Sequence, residues 1–98
     1  MPKKLKETKY CLLLKQGKVI IDESIFSIER IYVKVMEREE IRFGLYKENK
    51  NQVQRLIPRP LDVTEEELIQ LISEGRSKGV FSKKFIDQLK EIIWGKKV

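Results

Sequence analysis

The stretch RLIPRPLDVTEEELIQLI, residues 55–72, divides the chain into two kinds of sequence. Pro58 and Pro60 lack a backbone donor and push the residues before them toward extended geometry, so neither strand nor helix runs through them. Beyond the prolines a helix opens: Thr64 is placed as N-cap, and Glu67, three residues on, completes a capping box. Val63 and Leu68 stand where a hydrophobic staple needs them, and Leu68, Leu71 and Ile72 form an apolar stripe.

Downstream, GVFSKKFIDQLKEIIW (residues 79–94) starts a second helix in the same way. Ser82 is the N-cap, and Phe81 and Ile86 form the staple. Its stripe is wider, with Phe85, Ile86, Leu89, Ile92 and Ile93. Gly75 and Gly79 bracket RSK and are expected to stop the first helix and turn the chain. The acids of the first helix suit its dipole, whereas Lys83 and Lys84 oppose that of the second. Trp94 is expected to pack on the sheet and close the core; left exposed, it would serve as an interface anchor.

Upstream, residues 9–57 read as strands. KYCLLLK and KVII flank Gln16-Gly17, a two-residue turn that predicts a hairpin. IYVKV places Ile31, Val33 and Val35 on one face, and IRFGLYK does the same with Ile41, Phe43 and Leu45. Residues 37–40 are the expected turn between them, and NQVQRLI is a candidate fifth strand. In DESIFSIER, Phe26 and Ile28 fall out of phase with Ile31; a bulge, a turn or a separate short strand would resolve this. The fold expected is therefore α+β, an antiparallel β-meander of four or five strands followed by a C-terminal helical hairpin. All 98 residues form one domain, with the meander over 9–57, a Pro-bracketed connector over 58–62 and the two helices over 63–94.

Within residues 66–93, Leu68, Leu71, Gly79, Val80, Ser82, Phe85 and Leu89 fit a pattern of leucine-rich helix, glycine, small apolar residue, hydroxyl cap and Phe-bearing helix. In this the segment resembles the short C-terminal helical (SHOCT-like) domains at the tails of many bacterial proteins. It departs from them in the four added residues RSKG, in Phe85 standing one place early, and in Lys83 and Lys84 where acids are expected. The resemblance implies an attachment or oligomerisation role rather than catalysis.

The residue types narrow the function classes. The chain has no histidine, which removes the commonest general base and metal ligand. Cys11 is the only cysteine, so no intrachain disulfide and no zinc set exists, and its apolar setting YCLLL predicts a buried thiol. The five glycines are isolated and build no phosphate loop. Glu37, Glu39 and Glu40 read as a charged turn, and Asp62, Glu65 and Glu66 as a helix start, more readily than as cation sites. No cofactor, no metal and no enzymatic activity is expected. The longest apolar run, residues 10–14, approaches no membrane span, so a cytoplasmic protein without a membrane partner is expected.

Two functional readings remain. The first is a non-catalytic protein-interaction or regulatory module whose partner is unknown or is a second copy in a homodimer, with Phe85, Leu89, Ile93 and Trp94 as candidate interface. The second is a small nucleic-acid-binding protein, consistent with the net charge of +6. Pairing Val33 with Phe43 would align Arg30, Tyr32, Lys34, Arg42 and Tyr46 on one basic, tyrosine-bearing sheet face suited to phosphates and stacked bases. Lys47, Lys50, Arg55 and Arg59 form a candidate basic loop. Docking of the helices on the tyrosine face would remove that second reading.

Overall fold

Alternating β-branched and polar residues build the first half, and capped amphipathic turns build the second. The structure is a computed structural model that describes residues 4–48, 51–58 and 60–95. Five antiparallel strands lie in chain order: β1 (Lys6–Glu7), β2 (Cys11–Ile21), β3 (Ser24–Val33), β4 (Arg38–Glu48) and β5 (Gln54–Leu56). Two helices come after them, α1 (Glu65–Ser77) and α2 (Lys83–Trp94). This is the expected α+β order of antiparallel meander and then helices.

The turns and register differ from expectation. Gln16 and Gly17 make no turn; β2 runs straight through them, and the hairpin closes at Asp22-Glu23, where Asp22 takes the left-handed φ of 54° that Asp tolerates. The next turn spans residues 34–37 rather than 37–40, which leaves Val35 at the tip, 87% exposed. As a result Val33 pairs with Arg38 and Phe43 with Ile28, an offset from the expected Val33–Phe43 register that reassigns faces.

Beyond the turn at Asp22-Glu23, DESIFSIER has no break. β3 is regular through it, and the irregularity lies across from it in β2, between Leu13 and Lys15. Phe26 and Ile28 are out of phase with Ile25 and Ile31 because this central strand is buried on both faces.

One face carries α1. Ile28, Leu71 and Val80 form its centre, with Val19, Phe26, Leu61, Val63 and Phe81 packed around them. The helix comes close at Gly17, where a Cβ would stand 2.9 Å from the backbone carbonyl of Glu74. Glycine is therefore needed there for the approach of a helix backbone, not for a turn. The capping box forms as expected: Glu67 N–H donates to Thr64 Oγ1 at 3.1 Å, and Thr64 N–H donates to Glu67 Oε1 at 2.9 Å.

The stop signal falls later than expected. Gly75 lies inside α1, buried against the Phe81 ring and Ile28, and the helix ends at Ser77. Gly79, at φ 73°, takes the left-handed position after the C-cap, and Val80 N–H closes back on Gly75 C=O at 2.8 Å, a Schellman arrangement.

On the opposite face the sheet curls. Lys18 Nζ of β2 donates to Gln54 Oε1 of β5 at 2.8 Å, although two strands lie between them in the sheet order. Side chains of β1 and β5, the two edges, also line one cleft. The irregularity in β2 and the glycine in β4 (Gly44) are the devices that increase twist and bending. This trough of half-closed sheet covers the second face of β3.

The expectation that Trp94 packs the end of the second helix on the sheet is overturned. Among the described residues no strand comes against α2, nor does α1, and no residue of α2 is buried. Trp94 does not close the core; it is 82% exposed.

Candidate functional site

The trough holds a carboxylate at its floor. Period-two alternation along β3 sends Ile25, Ser27, Glu29 and Ile31 to the same side. The register sets Gln16 of β2 and Arg42 of β4 directly across from Glu29. Glu29 is 0% exposed. Its Oε2 accepts from Gln16 Nε2 (2.7 Å), Ser27 Oγ (3.0 Å) and Tyr46 OH (2.6 Å), while Oε1 accepts from Arg42 Nε (2.8 Å) and Nη2 (2.7 Å).

Burial by itself pushes the Glu29 carboxyl up, but the bonds from Tyr46, Arg42 and Gln16 outweigh it and hold the group below the usual carboxylate range. Burial and the adjacent Glu29 charge push the Tyr46 phenol up to about 12. For Arg42, burial opposes the charge, yet the bond to Glu29 prevails and its basicity rises. A carboxylate this fully engaged organises the strands around it and offers no free lone pair to a proton. Ser27 and Gly44 permit this arrangement, since a Cβ on Gly44 would stand 2.8 Å from Ser27 Oγ and 3.3 Å from both Tyr46 and Leu56.

Above the network, between the curled edges, lies a cleft of about 410 Å³ bordered by Lys6, Leu13, Arg42, Tyr46 and Leu56. Cys11 is buried, as its apolar setting predicts, and its Sγ lies 3.7 Å from Arg42 Nη1.

A second surface is α2. Ser82 Oγ caps it by accepting from Phe85 N–H at 3.1 Å. Phe81 meets Phe85, with ring centroids 4.9 Å apart and tilted by 40°. Past that contact the stripe is open to solvent: Ile93 is 67% and Ile92 78% exposed.

No protein-family model, no curated protein and no solved structure matches this chain.

The five residues expected on one basic face are divided. Arg30 and Tyr32 stand on the α1 side, whereas Arg42 and Tyr46 stand in the trough on the other. Arg30 is engaged twice, with Nε donating to Val80 C=O at 2.6 Å and Nη1 to Glu39 at 2.9 Å. Lys34 lies in the turn and bonds Glu7 at 2.6 Å and Thr8 C=O at 2.8 Å. Gly44 is covered by Tyr46 and Leu56. In the basic loop Lys47 and Arg55 are exposed and face each other across β4 and β5; Lys50 and Arg59 lie outside the described residues. Of the candidate interface, Phe85, Ile93 and Trp94 are exposed on α2 and Leu89 is half-buried between them.

Glu29, Gln16 and Ser27 are the residues the sequence pattern did not single out. Their signal was an acid in phase with Ile25 and Ile31, on a face otherwise apolar or small, which in a buried strand demands a partner base.

Proposed function

We propose that the chain is a non-catalytic interaction module that associates with a second copy of itself through α2. One observation carries this: among the described residues, the apolar stripe of Phe85, Leu89, Ile92 and Ile93, with Trp94 beside it, has no other element of the fold against it. An isolated helix of this length is marginal in water, and its stability comes mostly from burying an amphipathic face. The sheet and α1 already share a core without α2, so the helix is available to a partner. A second copy presents the same stripe, and a two-fold pairing buries both at once. The resemblance to short C-terminal helical domains points the same way.

The nucleic-acid reading retains the net charge of +6 but is less favoured, because Arg30 and Tyr32 stand on one side of the sheet and Arg42 and Tyr46 on the other. Sedimentation velocity across a wide range of protein concentration tests the proposal. Wild type moves from monomer toward dimer as concentration rises, and Leu89→Asp and Ile93→Asp remain monomeric with unchanged β-sheet circular dichroism. A wild-type chain that stays monomeric throughout would refute it.

A further inference from the structure

The trough cleft is independent of α2 and has a chemistry of its own. Its volume of about 410 Å³ lies within the range of small-molecule sites, roughly 300–1,000 Å³. Its walls are apolar, formed by Leu13, Leu56 and the Tyr46 ring, with Tyr10 at the margin. Among the described residues its charged groups are both cations, Lys6 and Arg42. The one acid beneath them, Glu29, is fully buried and spent on Gln16, Ser27, Tyr46 and Arg42. Lys6 has no carboxylate partner among the described residues, because its neighbour Glu7 points to the other face and pairs with Lys4 and Lys34.

Arg42 is presented in a fixed pose. Glu29 grips Nε and Nη2, and the outer nitrogen Nη1 has a thiol, Cys11 Sγ, as its contact at 3.7 Å. Sulfur is a weak acceptor, whereas a carboxylate oxygen is a strong one for a guanidinium. The ordering cost of such an arginine is met by the fold before any ligand arrives.

We propose that this cleft binds a small monocarboxylate with an apolar body, its carboxylate between Arg42 Nη1 and Lys6 and its body against Leu13, Tyr46 and Leu56. The charge complementarity excludes a cationic ligand, and the apolar walls disfavour a bare inorganic anion.

Titration of the full chain with phenylacetate, followed by amide proton–nitrogen NMR, tests this, with phenylacetamide as the uncharged counterpart. The expected result is saturable shifts concentrated on Lys6, Cys11, Leu13, Arg42, Tyr46 and Leu56. Loss of the charge-assisted bonds weakens phenylacetamide by roughly tenfold or more. Arg42→Ala would leave Glu29 buried without its counter-ion and unfold the domain, so the informative variant is Lys6→Gln at an exposed edge position. That variant keeps the wild-type spectrum and weakens phenylacetate about threefold to fivefold. Equal affinity for acid and amide, shifts centred on other lysines, or no saturable shift up to the solubility limit would each overturn the proposal.

Discussion

Tyr46 OH donates to Glu29 Oε2 at 2.6 Å, reaching from β4 to a carboxylate on β3 that no solvent touches. The bond joins two residues that, read along the chain, belong to different patterns, one an outward-facing tyrosine and the other a polar break in a hydrophobic run. Tyr46→Phe removes a bond to a charged acceptor and is expected to lower stability by about 1.5–3 kcal/mol. Glu29→Gln strips Arg42 of its buried counter-charge and costs more, about 3–5 kcal/mol. Urea unfolding of the two variants checks both the size and the order; a Glu29→Gln protein as stable as wild type would show that the network is dispensable.

The same pair sets the pH limits. Glu29 is held below its ordinary carboxyl range in the fold, so its contribution is present above the unfolded-state pKa of roughly 4.3 and fades as pH falls through the folded value. Tyr46 is raised to about 12, so its contribution is complete below the unfolded-state pKa of roughly 10 and fades as pH rises through about 12. Thermal melts from acid to alkaline pH are expected to give a plateau with both flanks falling. In Tyr46→Phe the alkaline flank above pH ~10 should flatten.

Gly17 and Gly75 are both packing glycines, but they face different neighbours. An added Cβ at Gly17 meets the Glu74 backbone at 2.9 Å, which moves only if α1 moves. At Gly75 it meets the Phe81 ring at 2.9 Å and Ile28 Cγ2 at 3.1 Å, which are side-chain atoms rather than backbone. Gly17→Ala is therefore expected to lose about 1–3 kcal/mol. Gly75→Ala should lose less, since alanine returns up to ~1 kcal/mol of helix propensity. Paired chemical-denaturation curves test this ranking, and the reverse order would contradict the described α1 docking.

Because α2 lies against no other element among the described residues, a chain ending at Ser82 keeps Val80 and Phe81 in the core and should still fold. Compared at dilutions where the full chain is monomeric, its unfolding free energy is expected within ~0.5 kcal/mol of wild type. Loss of cooperative unfolding in the shortened chain would mean that α2 supports the sheet directly.

The helices were legible because capping is local chemistry. Thr64, Glu67 and Ser82 need only their own neighbours, and the bonds expected of them form. The sheet was less legible because tertiary packing overrides alternation. Burial on both sides of β3 erases the contrast between Phe26 and Ile25 that a one-sided strand would show. Gly17 looked like a turn because nothing local reveals a helix crossing above it, while the true turn at Asp22-Glu23 has no glycine to announce it. Shifting that turn and the next changed which residues share a face, and Arg42 and Tyr46 passed from a solvent-facing platform to a buried network. The α2 stripe was readable as apolar, yet whether the sheet covers it is decided by the path of the chain after Ser82.

The most direct test of self-association is hydrogen exchange of the amides in residues 83–94, measured at several protein concentrations. Protection of this segment that grows with concentration, while β2–β4 stay protected at every dilution, is the expected result. Exchange at free-helix rates at every concentration would contradict the assignment of α2 as the self-association surface.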